Sequence, residues 1–323
     1  MELIDEFLPA RLRETKGARW EAQTPYLGVA GIPNLGNRPA QYLIGKSISD
    51  DDFRKYEEGT ATLRKFATSQ QLFDIARLNH REYSNTINQL QTDYSANYIL
   101  DWQRVSDMVV DVNLRLLNFL CAFRTYLDHT EARLKRQEGE SSTHFQSFRQ
   151  ACVDEFDNCF SYRFVYRLRN YTQHCGMPLG RVASRSDLED VSTGQSSHEI
   201  DFYFERDYLL SNFDSWGAVV KPDLEAMPPQ FPITSHIDES MECLQRIDEA
   251  VIQEAKQPIL ASLADIKALL SEVEGQPGCP CVYTTMSIEV NSEGRPIANT
   301  NIQRLPMQLI GEVERVFESR HGE

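Results

Sequence analysis

Residues 101–136 read DWQRVSDMVVDVNLRLLNFLCAFRTYLDHTEARLKR. Val105, Val109, Val112, Leu116, Phe119, Phe123 and Tyr126 recur every three or four positions, and Leu120 and Leu127 widen the stripe. That spacing predicts one amphipathic helix, about 54 Å long at about 1.5 Å per residue. Its basic end, Arg133, Lys135 and Arg136, suits the negative pole of the helix dipole, and Gly139 breaks it. A helix this long needs partners for its apolar face, so the stretch points to a helical bundle.

Outward from it, the same period continues. A second helix is predicted from Ser141 or Ser142 to about His174, with Phe145, Phe148, Cys152, Phe156, Cys159 and Phe160 on its buried side and Gly176 and Pro178 as its stop. Residues 180–197 are polar and serine-rich and read as a loop, Ile200 to Phe204 alternates like a strand, and proline-rich 222–232 reads as a connector. A third long helix is expected from Ile237 to about Val273, with Pro258 as a kink or break. Beyond it, Val282–Val290 and Ile297–Ile302 flank Asn291-Ser292-Glu293-Gly294, a hairpin signal, and a short helix from about Pro306 to Phe317 follows. Towards the other end, residues 19–48 are rich in Gly, Pro and Asn and read as strands and turns, and a helix begins near Ser49 and runs to about Gln91. The expected fold is mainly α, a helical bundle with small β additions at the N- and C-terminal ends. The domain reading is 1–65 as a strand-and-turn region, 66–275 as the helical domain with a loop and strand insertion at 176–235, and 276–323 as a β-hairpin plus short helix.

The chain has 33 basic and 48 acidic residues among 323, a net charge of -15. A protein that holds nucleic acid by blanket electrostatics would be basic. Any contact with RNA must therefore be local, a few phosphates against a basic patch. Acidic residues in Met1 to Glu6, where a signal peptide needs basic ones, and the absence of a long apolar run lead us to expect a cytoplasmic protein with no membrane association. Seven cysteines without framework spacing read as free thiols. Cys279-Pro280-Cys281 lacks a second ligand pair nearby, and no metal-ligand, serine-nucleophile or dinucleotide motif is found, so no metal and no cofactor are expected. Ala40 to Ser47 resembles a phosphate loop only loosely: bulky Tyr42, Leu43 and Ile44 read as a strand, and Asp50, Asp51 and Asp52 would repel phosphates.

The segment that could carry chemistry is Phe164-Val165-Tyr166-Arg167-Leu168-Arg169-Asn170-Tyr171-Thr172-Gln173-His174, at the end of the second helix. Chance alone supplies roughly 0.5 copies of Arg-x4-His in a chain of this composition, and Arg124 to His129 is one such match. Requiring Asn after the Arg lowers the chance to roughly 0.02, and only Arg169 meets it. Arg169-Asn170-x3-His174, on a helix that follows a long helix, resembles the motif of the HEPN superfamily; the likeness covers about residues 70 to 180. It implies a metal-independent endoribonuclease with Arg169, Asn170 and His174 as catalytic residues, acting as a homodimer whose composite site joins two copies of the motif. Many HEPN proteins are toxins or antiviral defence effectors, some answering to a regulatory protein partner.

The residue types suit that chemistry. Attack of a 2′-OH on the adjacent phosphate needs one proton removed and another delivered, and histidine titrates near neutrality. An arginine fork stabilises the charge that builds on the phosphorane. The products would carry a 2′,3′-cyclic phosphate and a 5′-OH. Asn170 and His174, four apart, share a helical face. Arg163, Arg167, Arg169, Arg181 and Arg185 form a basic stretch in an acidic chain, and of these Arg163, Arg167 and Arg181 are candidates for contacting RNA. Arg124, Asp128 and His129 on the preceding helix are candidates for orienting Arg169. Helix-end basic residues also satisfy the dipole and the last carbonyls without any catalysis. The alternative is therefore a non-catalytic helical module of the same type that binds a protein, RNA or a nucleotide.

Overall fold

The computed structural model describes residues 2–3, 16–17, 19–32, 41–190, 195–294 and 296–318. The protein is mainly α-helical with small β elements towards both ends. In chain order the elements are β1 (Glu2–Leu3), β2 (Arg19–Glu21), β3 (Tyr26–Ile32), β4 (Gln41–Ser47), α1 (Asp50–Ala96), α2 (Trp102–Glu138), α3 (Thr143–Asn158), α4 (Phe160–His174), β5 (Arg181–Asp190), β6 (Gln195–Glu205), α5 (Arg206–Asn212), α6 (Gly217–Ala226), β7 (Gln230–Pro232), α7 (Ile233–Ser271), β8 (Cys279–Val290), β9 (Pro296–Arg304) and α8 (Met307–Glu318). They fall into two compact units, Met1–Thr68 with Lys256–Glu323, and Ser69–Ala255.

The first unit holds an antiparallel sheet in the order β1-β4-β3-β8-β2, with β9 also paired to β8. The two terminal β regions, which local pattern presents as separate additions, are thus one sheet. β8 joins them: Cys279 to Tyr283 pair with β3, and Ser287 to Glu289 with β2. The hairpin signal at Asn291 to Gly294 is realised as the β8–β9 turn, with Gly294 at φ +79. Gly28 is where β3 meets its neighbours most closely: a Cβ there would lie 2.3 Å from the Leu43 carbonyl oxygen and 2.6 Å from the Tyr283 ring. Tyr283 is buried and its hydroxyl donates to the Val29 carbonyl at 2.9 Å. Phe66 and Phe317 stack with centroids 5.6 Å apart, fastening α8 to the start of α1. Ala40 lies outside the described residues, and the rest of the loose phosphate-loop match, Gln41 to Ser47, is a strand as its bulky residues predict.

The second unit holds the bundle. Asp101 caps α2 by accepting from the Arg104 amide at 2.8 Å, and Gly139 at φ +87 ends it. Val112, Leu116, Phe119, Leu120 and Phe123 of the predicted stripe are completely buried. Burying each such side chain stabilises the fold by about 1.5–3 kcal/mol. Phe123 meets Tyr162 of α4 at 5.6 Å, and Phe73 of α1 meets Tyr126 at 5.7 Å. A three-stranded sheet, β5-β6-β7, completes this unit. Phe164 of α4 is the hub between them, against Phe204, Trp216 and Phe231 at 5.2, 5.7 and 5.7 Å.

Three local expectations are corrected. The helix predicted from Ser142 to His174 is two helices, divided at Cys159, whose backbone is extended at φ -122 and ψ 114. No Gly or Pro marks the break. It is held by Arg163, which donates to the Phe156 and Asp157 carbonyls at the end of α3, at 3.1 and 3.4 Å. The polar segment read as a loop at 180–197 contains β5, because pairing with β6 from Arg181–Tyr203 onward satisfies its backbone whatever its side chains. Proline-rich 222–232 contains the second half of α6, with Pro222 inside the helix, and β7. α7 starts at Ile233 and keeps Pro258 within it.

Candidate functional site

Arg169, Asn170 and His174 lie in the last turns of α4. The helix is held by its apolar side: Phe164, Val165, Leu168 and Tyr171 are buried completely. The Tyr171 ring stacks on Trp216 at 5.9 Å. This leaves Asn170 half-buried and His174 exposed, on the face the i, i+4 spacing predicts. Neither makes a hydrogen bond or ion pair among the described residues. The Arg169 carbonyl accepts from the Thr172 hydroxyl at 2.8 Å, while its guanidinium Nε is buried without a hydrogen-bond partner. A buried guanidinium N–H with no acceptor is costly and rare, and an anion would satisfy it.

Arg167 is in a similar state. Its guanidinium packs 3.4 Å from where a Cβ of Gly217 would stand, and its Nε too is buried without a partner. Gly217 is the first residue of α6 and has φ +87. Arg181, at the start of β5, is exposed.

The other candidate arginines, Arg163, Arg185 and Arg124, are engaged within the fold, while Arg133 of α2 also has a buried Nε without a partner. Arg163 donates to Asp223 at 2.7 Å as well as to the α3 carbonyls, so its guanidinium is a structural latch with little left for RNA. Arg185 pairs with Asp187 and Glu199. Arg124 forms a two-pronged ion pair with Asp128, both contacts 2.9 Å, and its guanidinium lies 4.0 Å from the centre of the Tyr166 ring. Asp128 is therefore bound to Arg124 and not to Arg169, and His129 is exposed without a hydrogen bond or ion pair among the described residues. The structure brings Arg124 to the motif helix one turn before Asn170. It does not bring Asp128 or His129 to Arg169.

Sequence reading missed the ground just beyond His174. An apolar groove of about 580 Å³ is lined by Val110, Leu114, Met177, Leu179, Glu205 and Tyr208 among others. Asn113, 5% exposed, also lines it. Its Oδ1 accepts from the Leu179 amide at 3.3 Å, which turns the amide NH2 the other way, with no partner among the described residues. At position 180 any Cβ would meet Glu205 within 2.6 Å, so only glycine lets the chain pass. The Tyr171 hydroxyl is buried and lacks a hydrogen-bond partner. Burial, with the neighbouring Tyr208 phenol, pushes its pKa up to about 12, so it stays protonated. A buried Asn on an apolar helix face was the one signal that could have located this groove.

No cluster of three or more His, Cys, Asp or Glu residues suited to a metal ion occurs among the described residues. No described helix is long and apolar enough to cross a membrane. Compared with protein-family models, curated proteins and solved structures, the chain matches none.

Proposed function

We propose that this chain is a metal-independent endoribonuclease of the HEPN type, cleaving RNA by 2′-OH attack to leave a 2′,3′-cyclic phosphate. The observation that carries the reading is the Arg169 guanidinium: its Nε is buried and unpartnered, one position from Asn170 and on the helix that ends at the exposed His174. Such a group favours an anion most when charge accumulates on it, as in a phosphorane. Arg167, likewise unpartnered at Nε, and exposed Arg181 are the further phosphate contacts of this reading. The groove that begins at Met177 offers an apolar surface and the Asn113 amide to a neighbouring base.

A single imidazole cannot be acid and base in the same step. Among the described residues no second histidine or carboxylate hydrogen-bonds to His174, so the reading includes a homodimer in which the partner's motif supplies the second imidazole. The same observation favours a second reading, a module that binds RNA without cutting it. The nuclease reading is that of a toxin or antiviral defence effector, answering to a regulatory protein partner.

The test is cleavage of total cellular RNA in EDTA by the wild type, Arg169→Ala and His174→Ala, with the 3′ ends mapped and folding checked by circular dichroism. Cyclic-phosphate ends produced by the wild type alone are expected. Equal cleavage by all three would sink the site assignment. No cleavage by any, together with tight binding of labelled RNA, would select the binding module.

A further inference from the structure

The groove past the end of α4 carries two idle polar groups on otherwise apolar walls. Val110 and Leu114 of α2, Met177 and Tyr208 line it, all four exposed, and its volume is about 580 Å³. Small-molecule sites occupy about 300–1,000 Å³. Asn113, 5% exposed, is the first polar group. Its Oδ1 accepts from the Leu179 amide at 3.3 Å, so the oxygen is spent and the NH2 is left to donate. Glu205 is the second. Its stem lies against the Gly180 backbone, with Cγ and Cβ 2.6 and 2.8 Å from where a Cβ at 180 would stand. Glu205 directly precedes α5 but makes no capping bond, and its carboxylate has no hydrogen bond or ion pair among the described residues. Arg181 follows the groove-lining Gly180, is exposed, and has no ion pair among the described residues.

This inventory narrows the occupant. It must present apolar faces to the walls, accept from the Asn113 amide and donate to the Glu205 carboxylate, which can only accept. A hydrocarbon chain would cover both groups and satisfy neither. An alkylamine would satisfy Glu205 and leave Asn113 unmet. A nucleobase has the flat faces and the mixed edge. Adenine and cytosine offer one exocyclic amino group beside a ring nitrogen, and uracil offers one ring N–H between two carbonyls. Guanine offers O6 as an acceptor and, next to it, N1–H and N2–H side by side. Two parallel donors match the two oxygens of a carboxylate.

We propose that this groove binds a guanine base. O6 accepts from the Asn113 NH2, N1–H and N2–H donate to the Glu205 carboxylate, and a ring face lies on Tyr208. Arg181 takes the phosphate of the same nucleotide. The base comes either from an RNA strand or from a free guanine nucleotide, which present the same edge. In its RNA form the inference rests on the proposed nuclease reading and makes guanine the base beside the cut.

The test is titration of His174→Ala, used so that RNA stays whole, with 5′-GMP, IMP, AMP, CMP and UMP. Labelled uridine pentanucleotides with one central G, A or C are titrated in parallel. Guanine should bind about tenfold or more tighter than the other bases. IMP, which lacks the N2 amino group, should bind less tightly than GMP. Glu205→Gln, whose NH2 would face one of guanine's donors, should abolish the preference. Leu114→Trp, which fills the groove from an exposed position, should weaken binding of GMP and of the guanine oligonucleotide alike. Tighter binding of GMP than of that oligonucleotide identifies the free nucleotide as the source, and the reverse identifies RNA. No binding of any probe, or equal affinity for all bases, would overturn the proposal, and neither result depends on a groove variant folding. A guanine preference unchanged in both folded groove variants would overturn it too. The two readings fail separately: RNA cut by the wild type with no preference for guanine removes this one alone, and guanine binding without cleavage removes the nuclease alone.

Discussion

The Arg124 guanidinium lies 4.0 Å from the centre of the Tyr166 ring, while two of its nitrogens, Nε and Nη2, hold Asp128. One side chain thus joins α2 to the helix that carries Arg169, Asn170 and His174. A cation over an aromatic face contributes about 0.5–2 kcal/mol. We expect a double-mutant cycle between Arg124→Ala and Tyr166→Leu, read by urea unfolding, to give a coupling energy in that range, about 0.5–2 kcal/mol. Cleavage by folded Arg124→Ala should remain, because the residue is a brace between helices. Loss of cleavage with unchanged stability would make it part of the site instead.

The Tyr126 hydroxyl donates to the Asp248 carboxylate at 2.9 Å, with both residues nearly or wholly buried. A hydrogen bond to a buried charge is worth about 1.5–3 kcal/mol. Tyr126→Phe should lower the unfolding free energy by about that amount, 1.5–3 kcal/mol, without changing the fold. An unchanged denaturation midpoint would mean that Asp248 finds an equal donor elsewhere.

Gly28→Ala should destabilise the first unit by about 1–3 kcal/mol, the usual cost of overpacking. The new methyl group would meet the Leu43 carbonyl and the Tyr283 ring, and Tyr283 is pinned by its bond to Val29. Thermal unfolding of the variant against Gly31→Ala is the measurement. Gly31, at φ +70 with open space around it, carries only the backbone penalty. If Gly28→Ala costs no more than Gly31→Ala, the close approach of β3 and β4 is relieved by movement of the strands.

His236 sits among Phe160, Phe164 and Phe231, with Ser161 2.6 Å from its Nδ1. Burial lowers its pKa below the usual 6.5, against the pull of Glu239. As pH falls through about 6.5 the unfolded chain takes up a proton that the folded one refuses, so stability drops with falling pH until the folded pKa is passed. Urea unfolding of the wild type and His236→Gln between pH 7.5 and 5.5 compares the slopes. The variant's should be shallower. Equal slopes would assign the acid sensitivity to other groups.

How far the site was legible follows from separation along the chain. Asn170 and His174 share a face because four residues make about one turn, and that is written in the spacing. Whether an arginine is available to a phosphate is not. Arg163 reaches an acceptor 60 positions away in Asp223, and Arg167 rests beside Gly217. A basic run does not separate Arg163, engaged within the fold, from Arg167 and Arg169, whose Nε atoms are left without a partner.

By itself the sequence determined the long helices, from the three-and-four spacing of apolar residues, the end of α2 at Gly139, and the turn at Asn291 to Gly294. These are local effects, decided by side chains within a few positions of one another. Only the tertiary structure decided that β3 and β8, some 250 positions apart, share a sheet, that β5 is a strand, and that the helix breaks at Cys159. Backbone pairing needs no particular side chains, and the break is held by an arginine reaching back over one turn to carbonyls that local propensity leaves helical.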